Sequence, residues 1–519
     1  MQQLTKAFGD AVVGVTSGFD RIVFQGVIRP LMFVDGAMNF FRRRNILFVD
    51  ARDWVLARTD RLVKAIDTWS RDNCGEGTTY LSSSSIRKDE AARTRQQAKG
   101  ISSGLIGTWS CLERNRSYRI AYGEGAPVLK STWAPHKHVY IYLDHPQLGF
   151  MSVRIQTWFP YRIQIALNGR EWAARQLEKT GVGFEKLTNK FLHVDDYDVL
   201  QRIFDQQLNT NWPALLDSLV PLGFPTLQET LGPKLGYWWT LWQSEWATDL
   251  LFRDRAALDA VMDPLVRHAF IGGHPERLLR YFGQPLKKDG SVRANYRGSL
   301  KTSLTHHDEA WRIRHWLDAN SVKAYNFFNV LRVESTINNP AAFRAYRTKE
   351  GAEPDAKKHF LPIRKGVADT VLRARASQQM NDRLVDFLAS TRSSEPLGDL
   401  FSGVTRRIRR RGRSVRALDP TGKDLVVLKA LADPRFAVSG FSNKELRAEL
   451  GDDPRYRRKT DRQRSAMTTR QLRLLRDHGV IRRLPKSRRY QLTAKGRALV
   501  TALQAALAAS TEQLAAIAA

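Results

Sequence analysis

Residues 479–500, GVIRRLPKSRRYQLTAKGRALV, determine how the C-terminal part of the chain is interpreted. VIRRL and RRYQL are short runs with β-branched and aromatic residues, and Pro-Lys-Ser joins them, which predicts a hairpin. Thr493 is a favourable N-cap residue, so a helix is expected to follow it. The basic side chains of the hairpin are Arg482, Arg483, Lys486, Arg488 and Arg489.

Three helices are predicted before this hairpin. GKDLVVLKALADP has one apolar face, FSNKELRAEL begins with a Ser442 and Glu445 capping box, and RQRSAMTTRQLRLLRDHGV is longer and ends at Gly479. The order of three helices, a basic hairpin and a last helix resembles winged helix-turn-helix transcription regulators over about residues 420–510. The run HGVIRR…YQLTAKGRAL is the most specific part of the resemblance, which implies a DNA-binding domain.

In such domains a recognition helix enters the major groove and the wing contacts phosphates. Candidate helix contacts are Arg462, Arg464, Thr468, Thr469, Arg470 and Arg473. Candidate wing contacts are the hairpin residues Lys486, Arg488 and Arg489, with Arg482 and Arg483 beside them. The alternative is a winged helix that contacts protein and whose charges are solvated.

A block of arginines precedes this region in RRIRRRGRSVR. Its composition predicts an extended linker, residues 396–420, that can also lie on phosphates. The candidate DNA contacts in this block are Arg406, Arg407, Arg409, Arg410 and Arg411.

The net charge supports a polyanionic partner. The chain of 519 residues carries a formal charge of +31, and residues 401–519 contain 28 Lys and Arg against 10 Asp and Glu. Clustering of this kind is typical of nucleic-acid binding, whereas solubility alone does not require it. Duplex DNA is the expected partner, RNA is the alternative, and an anionic membrane is a weaker one.

The sequence also limits the class of protein. With Cys74 and Cys111 as the two cysteines and no CxxC pair, a zinc finger is excluded and a disulfide framework is implausible. No apolar run reaches the roughly 18 residues of a membrane span, and residues 1–20 lack a signal pattern. We therefore expect a cytoplasmic, nucleoid-associated protein. The Ala-rich tail ALQAALAASTEQLAAIAA suggests a helix that pairs with a second copy in a homodimer.

The predicted fold class is a multidomain α+β protein. Its central mixed α/β body is expected to contain short antiparallel strands, and its C-terminal region a winged helix-turn-helix. The predicted divisions are a mainly helical region, 1–105; an α+β domain, 106–225; a domain that is helical and then β-rich, 226–395; the linker, 396–420; and the winged helix with its Ala-rich tail, 421–519. The stretch YWWTLWQSEWATDLLF is predicted to be helical.

Three constellations in the body are candidates for catalysis. His136 and His138 are two residues apart on a predicted strand, so both would point to one face and could ligate one metal. This resembles the His-hydrophobic-His strand of rolling-circle replication initiators and relaxases, although Lys137 replaces the hydrophobic residue. Tyr197, on the following helix, would be the nucleophile. The alternative is two surface histidines beside a turn.

The second constellation lies in SVKAYNFFNVLRVESTIN. Lys323 and Tyr325 would share one strand face, and Arg332 and Glu334 one face of the next strand. The segment is similar to part of some plasmid and phage replication initiators, in which the carboxylate helps to hold a metal. Cross-strand ion pairing is the structural alternative.

The third constellation consists of carboxylates from separate segments, which could assemble a two-metal site. Asp144 ends a strand that precedes two strands and a helix, the opening order of an RNase H-like fold. Glu245 and Asp249 are four residues apart and would share one helix face, and Glu334 lies on a strand. Most such combinations of carboxylates have no function.

The body as a whole resembles a family of uncharacterised bacterial proteins in LDHPQLGFMSVRIQTWFPYRIQIALNGREWAARQ, WQSEWATDLLFRD and VLRVESTINNPAAFRAYR. This resemblance implies no activity.

The expected function is DNA binding, with a regulatory role as one form of it. The alternatives are a metal-dependent DNA-processing enzyme of a mobile element, which would use Mg²⁺ or Mn²⁺, and a non-catalytic RNA-binding protein. The alternating Arg and aromatic residues of RIQTWFPYRIQ suit base stacking, but also any half-buried strand.

Overall fold

The computed structural model describes residues 8–122, 127–271, 275–287, 290–307, 310–353, 356–389, 397–410, 412–433, 436, 440–484 and 487–510. Lys486 and Arg411 lie outside the described residues, as does the second half of the Ala-rich tail, residues 511–519. The described part is mixed α/β and contains a large sheet. None of its helices combines the length and the hydropathy needed to cross a bilayer.

The strands are numbered in chain order. They are β1 Val12–Val27, β2 Thr79–Tyr80, β3 Gly104–Ala121, β4 Val128–His145, β5 Gly149–Gln156, β6 Ile163–Asn168, β7 Phe184–Leu187, β8 Lys190–Val194, β9 Trp238–Phe252, β10 Leu300–His307, β11 Ala310–Leu317, β12 Asn320–Phe327, β13 Val330–Ile337, β14 Arg344–Arg347, β15 His359–Pro362, β16 Ile408–Arg410, β17 Arg413–Val415, β18 Phe441–Ser442, β19 Ile481–Arg483 and β20 Arg489–Leu492.

The α-helices are numbered in the same way. They are α1 Val34–Arg42, α2 Ala51–Cys74, α3 Lys88–Lys99, α4 Gly169–Thr180, α5 Tyr197–Leu208, α6 Trp212–Gly223, α7 Leu227–Leu231, α8 Arg255–Ile271, α9 Pro275–Tyr281, α10 Thr370–Ala389, α11 Leu397–Ser402, α12 Leu425–Leu431, α13 Asn443–Glu449, α14 Pro454–Arg457, α15 Asp461–Asp477 and α16 Ala494–Ala508. Short 3₁₀ turns occur at Gly9–Ala11, Arg29–Met32, Pro340–Ala342 and Val367–Asp369.

The large sheet of the described residues has the strand order β10-β11-β12-β13-β9-β1-β6-β5-β4-β3-β2. The pairing of β2 with β3 is parallel, whereas the pairings of β3 with β4, β4 with β5 and β5 with β6 are antiparallel. Smaller sheets are formed by β7-β8, β14-β15, β16-β17 and β18-β20-β19. The prediction of short strands fits β5, β6 and β10 to β13, which have six to eight residues, but it does not fit β3 and β4, which each span 18 residues.

The chain divides into two compact units. The first contains Met1–Val15, Thr248–Ser335 and Ala376–Ala519, and the second contains Thr16–Ala247 and Thr336–Arg375. In the second unit, Phe19, Ile22 and Phe24 of β1 lie in a core with α1, α2, α6 and the buried residues of β4 to β6. In the first unit, a separate core is formed between residues 400 and 503.

Two predicted helical regions contain long strands instead. The region 1–105 does contain α1, α2 and α3, but β1 occupies residues 12–27. YWWTLWQSEWATDLLF, predicted as helix, forms β9. Glu245 and Asp249 therefore share a strand face, because residues four apart point the same way on a strand. Both strands have long runs of buried residues, as expected for strands that are covered on both faces.

Local signals in the sequence account for several element boundaries. Asp318-Ala319-Asn320 joins β11 to β12, Asp196 caps α5, and Gly181 ends α4 with a φ of 72°. Helix α10 is preceded by a 3₁₀ turn, Val367–Asp369. FEKLTNKFLHV forms the hairpin β7-β8.

Candidate functional site

Helix α15 has one face turned to solvent. Thr460 caps it through a capping box with Gln463, which satisfies backbone donors at its N-terminus. Leu472, Leu474 and Leu475 are buried in the domain core and fix the orientation of the helix. The exposed residues that recur at helical spacing on the other side are Arg462, Ala466, Thr469, Arg470, Arg473 and Arg476. The exposed face of the helix therefore presents a row of guanidinium groups, and its opposite face is fixed in the domain core.

Two of the predicted contacts on α15 do not belong to this face. Thr468 is buried, and its hydroxyl donates to the carbonyl of Arg464 at 2.9 Å. The guanidinium of Arg464 donates to the carbonyls of Tyr456 at 2.8 Å and Arg457 at 3.0 Å. Arg464 therefore stabilises the turn before the helix and Thr468 bonds within the helix, so we leave both out of the interface.

The hairpin β19-β20 carries four described arginines with different surroundings. Arg482, Arg483 and Arg488 are exposed. Arg489 instead donates to the carbonyl of Gly440 at 2.8 Å and to the carboxylate of Glu445 at 2.9 Å. Arg489 therefore connects the hairpin to the start of α13, and its charge is neutralised within the domain.

The Leu-Thr-x-x-Gly-Arg start of α16 has a packing explanation. Thr493 caps the helix by accepting from the amide of Gly496 at 3.0 Å, and its hydroxyl donates to the carbonyl of Gly479 at 2.6 Å. A Cβ at position 496 would lie 1.9 Å from the carbonyl oxygen of Val480, so only glycine fits there. The most specific part of the sequence pattern thus fixes the helix against the hairpin.

The arginine block forms a hairpin, β16-β17, where its composition predicted an extended linker. Arg410 donates to the carbonyl of Asp477, at the end of α15, at 3.3 Å. A cavity of 460 Å³ lies between this hairpin and α15, and Arg413, Arg470 and Arg473 are among the residues that line it. The exposed arginines of this segment before the turn are Arg406, Arg407, Arg409 and Arg410.

The two histidines of β4 have structural surroundings. His138 is buried, with Nδ1 3.0 Å from the carbonyl oxygen of His136 and Nε2 3.3 Å from the side-chain amide nitrogen of Asn115. Burial lowers the pKa of His138 to about 4, so the ring is neutral near pH 7. His136 stacks on Trp158, with ring centroids 5.5 Å apart. Both nitrogens of His138 are occupied, so metal binding would require breaking these contacts.

Asp144 and Tyr197 also have local roles. Asp144 accepts from Gln96 at 2.8 Å and from Arg175 at 2.6 Å, which ties β4 to α3 and α4. Tyr197 is the first residue of α5, and its burial raises the pKa of its hydroxyl. This direction is opposite to that of an activated nucleophile.

Lys323, Tyr325 and Glu334 come together in the first unit as their strand positions predicted. The ammonium of Lys323 lies 2.7 Å from a carboxylate oxygen of Glu334, and the hydroxyl of Tyr325 donates to the other oxygen at 3.4 Å. Arg332, two residues before Glu334, forms a buried bidentate pair with Asp249 at 2.6 and 2.8 Å. The arrangement places a tyrosine beside a carboxylate and an ammonium, while Arg332 is committed to Asp249.

A cavity of 310 Å³ in the second unit contains an acidic pair that the sequence did not single out as a site. Asp20 on β1 and Glu245 on β9 line it, and their carboxylate oxygens lie within 4.8 Å of each other. Asp20 is buried and accepts from the side-chain amide of Asn189. Arg21 and Arg93 are also at the cavity, so anionic and cationic groups face one space. Two carboxylates and a phosphate are a common donor set for Mg²⁺.

The sequence contained only a weak signal that Asp20 and Glu245 form a pair. Asp20 and Glu245 each interrupt an apolar run, which is unusual for a strand covered on both faces. The interruption could have been recognised only if both runs had been identified as strands. Comparisons with family models, curated proteins and solved structures found no match to this chain.

Proposed function

We propose that the protein binds duplex DNA through residues 425–508, which we interpret as a winged helix. Helix α15 would enter the major groove and β19-β20 would be the wing. The observation that carries the proposal is the row of exposed arginines on α15, whose opposite side is packed in the core. The major groove admits an α-helix, and arginine is the side chain that most often recognises guanine there.

The order of the elements supports the same interpretation. A short strand, β18, lies between α12 and α13 and pairs with β20, and β19 completes the sheet. The core of Leu428, Leu446, Leu475 and Leu499 joins the helices behind α15. The hairpin follows α15 directly, so its exposed arginines would contact the phosphates that flank the groove.

The test is the salt dependence of duplex binding by the full chain, measured by fluorescence anisotropy. Arg470→Ala/Arg473→Ala should weaken binding by about tenfold or more for each base that one of these arginines recognises. If the two side chains contact phosphates instead, the slope of log K against log salt should fall by about 1.8.

The matched control is Lys423→Ala/Lys429→Ala, which removes two exposed positive charges elsewhere in the domain. It should change the affinity much less than the α15 variant does. Equal effects in both variants would show that charge alone, and not the α15 face, determines binding.

A second candidate function is metal-dependent cleavage or transfer of a phosphodiester bond, and the cavity with Asp20 and Glu245 favours it. These carboxylates would hold Mg²⁺ or Mn²⁺, and Arg21 and Arg93 would hold phosphate oxygens. We infer that any such activity would be abolished in Asp20→Asn and Glu245→Gln. Asp144→Asn is the control, since Asp144 is buried and bound to Arg175.

The assay is nicking of supercoiled plasmid with Mg²⁺, Mn²⁺ or EDTA, together with Mn²⁺ binding followed by electron paramagnetic resonance. Nicking and Mn²⁺ binding that disappear in both variants but are kept in the control would support an enzyme. Intact plasmid and unchanged free Mn²⁺ would refute it without affecting the proposal of duplex binding.

A further inference from the structure

Four large aromatic side chains of the second unit are strongly exposed to solvent. Trp238 and Trp242 are 44% and 45% exposed, and Tyr346 and Phe360 are 70% and 54% exposed. We refer to these four residues as the aromatic face. Single exposed rings are common on protein surfaces, whereas a group of them marks a binding site more often.

The rings at the hairpin β14-β15 form a pair. Tyr346 and Phe360 are directly opposite each other in the register, with ring centroids 5.3 Å apart. Arg347, the neighbour of Tyr346, points the other way, donates to the carbonyl of Pro362 and lies 3.6 Å from Asp369. The hairpin is therefore fixed by its inner side, and its outer side holds the rings in solvent.

A backbone contact joins the strand of the two tryptophans to the segment that follows this hairpin. The amide of Leu241 donates to the carbonyl of Lys365 at 2.7 Å, and Thr240 pairs with Gly366. Lys365 is three residues after the end of β15. Since a strand rises about 3.3 Å per residue, this contact is roughly 10 Å along the chain from the hairpin.

Three of the four rings have a cation on them. The guanidinium carbon of Arg29 is 5.7 Å from the Trp238 ring, Nζ of Lys365 is 4.8 Å from the Trp242 ring, and Arg344 is 5.7 Å from the Phe360 ring. Residues 344–365 contain seven Lys and Arg and three Asp and Glu, a net charge of +4. The face therefore alternates planar apolar surface with positive charge.

We propose that the aromatic face binds single-stranded DNA, with bases stacked on the rings and phosphates near Arg29, Arg344 and Lys365. Stacking rings beside basic groups are how proteins hold single strands without sequence preference. A duplex hides the faces of its bases, so it cannot stack on these rings. A protein partner would favour a continuous apolar patch, whereas these rings are separated by charges.

This face differs from the stretch RIQTWFPYRIQ, which the sequence suggested for stacking. There Phe159 and Tyr161 are buried, and Arg154 is paired with Glu113. The alternation in that stretch reflects strand packing. The exposed rings occur instead in the first residues of β9 and on the hairpin β14-β15.

The experiment measures binding of fluorescein-labelled oligo(dT) to the full chain by anisotropy, with quenching of tryptophan fluorescence as a second readout. Tyr346→Ala/Phe360→Ala should weaken binding by roughly 5- to 150-fold for each ring that stacks a base. Phe33→Ala/Tyr80→Ala is the matched control, because these rings are 63% and 57% exposed and lie elsewhere. Tyr346→Trp/Phe360→Tyr should retain binding.

Duplex binding separates this proposal from the proposed function. The aromatic-face variant should leave duplex affinity unchanged, and Arg470→Ala/Arg473→Ala should leave oligo(dT) affinity unchanged. Unchanged oligo(dT) affinity in Tyr346→Ala/Phe360→Ala would overturn the inference. Tighter binding of oligo(U) RNA than of oligo(dT), or loss of a dimer in the variant without any effect on oligo(dT), would overturn the choice of DNA as the occupant.

Discussion

Arg488 and Arg489 are adjacent in sequence, yet the structure predicts opposite consequences of replacing them. Arg488 is exposed on the hairpin β19-β20, whereas Arg489 is bonded to Gly440 and Glu445. If Arg488 contacts a phosphate, Arg488→Ala should lower the salt slope of duplex binding by about 0.9. Arg489→Ala should leave the slope nearly unchanged and reduce stability instead.

The magnitude for Arg489 follows from its two hydrogen bonds. Hydrogen bonds to charged groups contribute about 1.5 to 3 kcal/mol each when they are buried. Since the side chain of Arg489 is 22% exposed and that of Glu445 is 13% exposed, solvent screening reduces the total to about 1 to 2 kcal/mol. Glu445 also accepts from the amide of Ser442 at 2.6 Å, so the start of α13 should loosen.

Hydrogen exchange of the full chain measures this destabilisation locally. A decrease of 1 to 2 kcal/mol corresponds to roughly 5- to 30-fold faster exchange of the amides in residues 440–449. Arg489→Lys should restore the charge but only part of the protection, because an ammonium lacks the fixed planar donor geometry of the guanidinium. If Arg489→Ala lowered the salt slope and left exchange unchanged, the reasoning would be refuted.

Three further predictions test single contacts. The folded-state pKa of His138 is about 4, below its usual 6.5, so the unfolded chain binds the proton more readily. The free energy of unfolding should therefore fall by up to about 3 kcal/mol as the pH drops from 6.5 to 4. In urea titrations at several pH values, His138→Gln should remove that dependence. Thr468→Val should leave duplex affinity unchanged, since the side chain is buried, and a weaker complex in anisotropy would contradict its position. Gly496→Ala should lower the free energy of unfolding by about 1 to 3 kcal/mol, because its Cβ would meet the carbonyl of Val480. Thermal unfolding measures this loss, and an unchanged melting temperature would show that the helix can shift freely.

The elements of the C-terminal region could be predicted because their signals are local. The capping box at Ser442 and Glu445 and the cap at Thr493 occur where the sequence placed them. Such signals depend on residues three or four apart, so no knowledge of the tertiary structure is needed. The roles of Arg464 and Arg489 were not predictable in the same way, because their partners are contacts of the folded chain.

The two long central strands were missed for a different reason. FDRIVFQGV in β1 mixes apolar residues with Asp20, Arg21 and Gln25, and a run that is buried on both faces has no period of two. In β9 the aromatic residues are spaced three and four apart, which imitates a helix. Glu245 was consequently assigned to a helix face, and Asp20 was not considered, so their common cavity could not be predicted.

The pairing of Lys323 with Glu334 shows the limit of a motif. The strand periodicity correctly put Lys323 and Tyr325 on one face, and Glu334 is within reach of both. The same geometry satisfies cross-strand ion pairing and a catalytic tyrosine, so distance alone does not separate the two. Tyr325→Phe separates them, since it keeps the ion pair and removes the hydroxyl.

The charge excess of residues 401–519 overstates the number of phosphate contacts. Arg416, Arg455, Arg464 and Arg489 bond to carboxylates or carbonyls within the domain, so they are held by the fold. Arg476 is also exposed on α15 but was not among the contacts predicted from the sequence. The six predicted contacts that are exposed on α15 and the hairpin are Arg462, Arg470, Arg473, Arg482, Arg483 and Arg488. Contacts from all six would give a salt slope of about 5, and four more from the exposed arginines of β16-β17 and the residues before it would give about 9. A slope near 5 would place DNA on α15 and the wing alone, whereas a slope near 9 would show that the arginine hairpin also follows the phosphates.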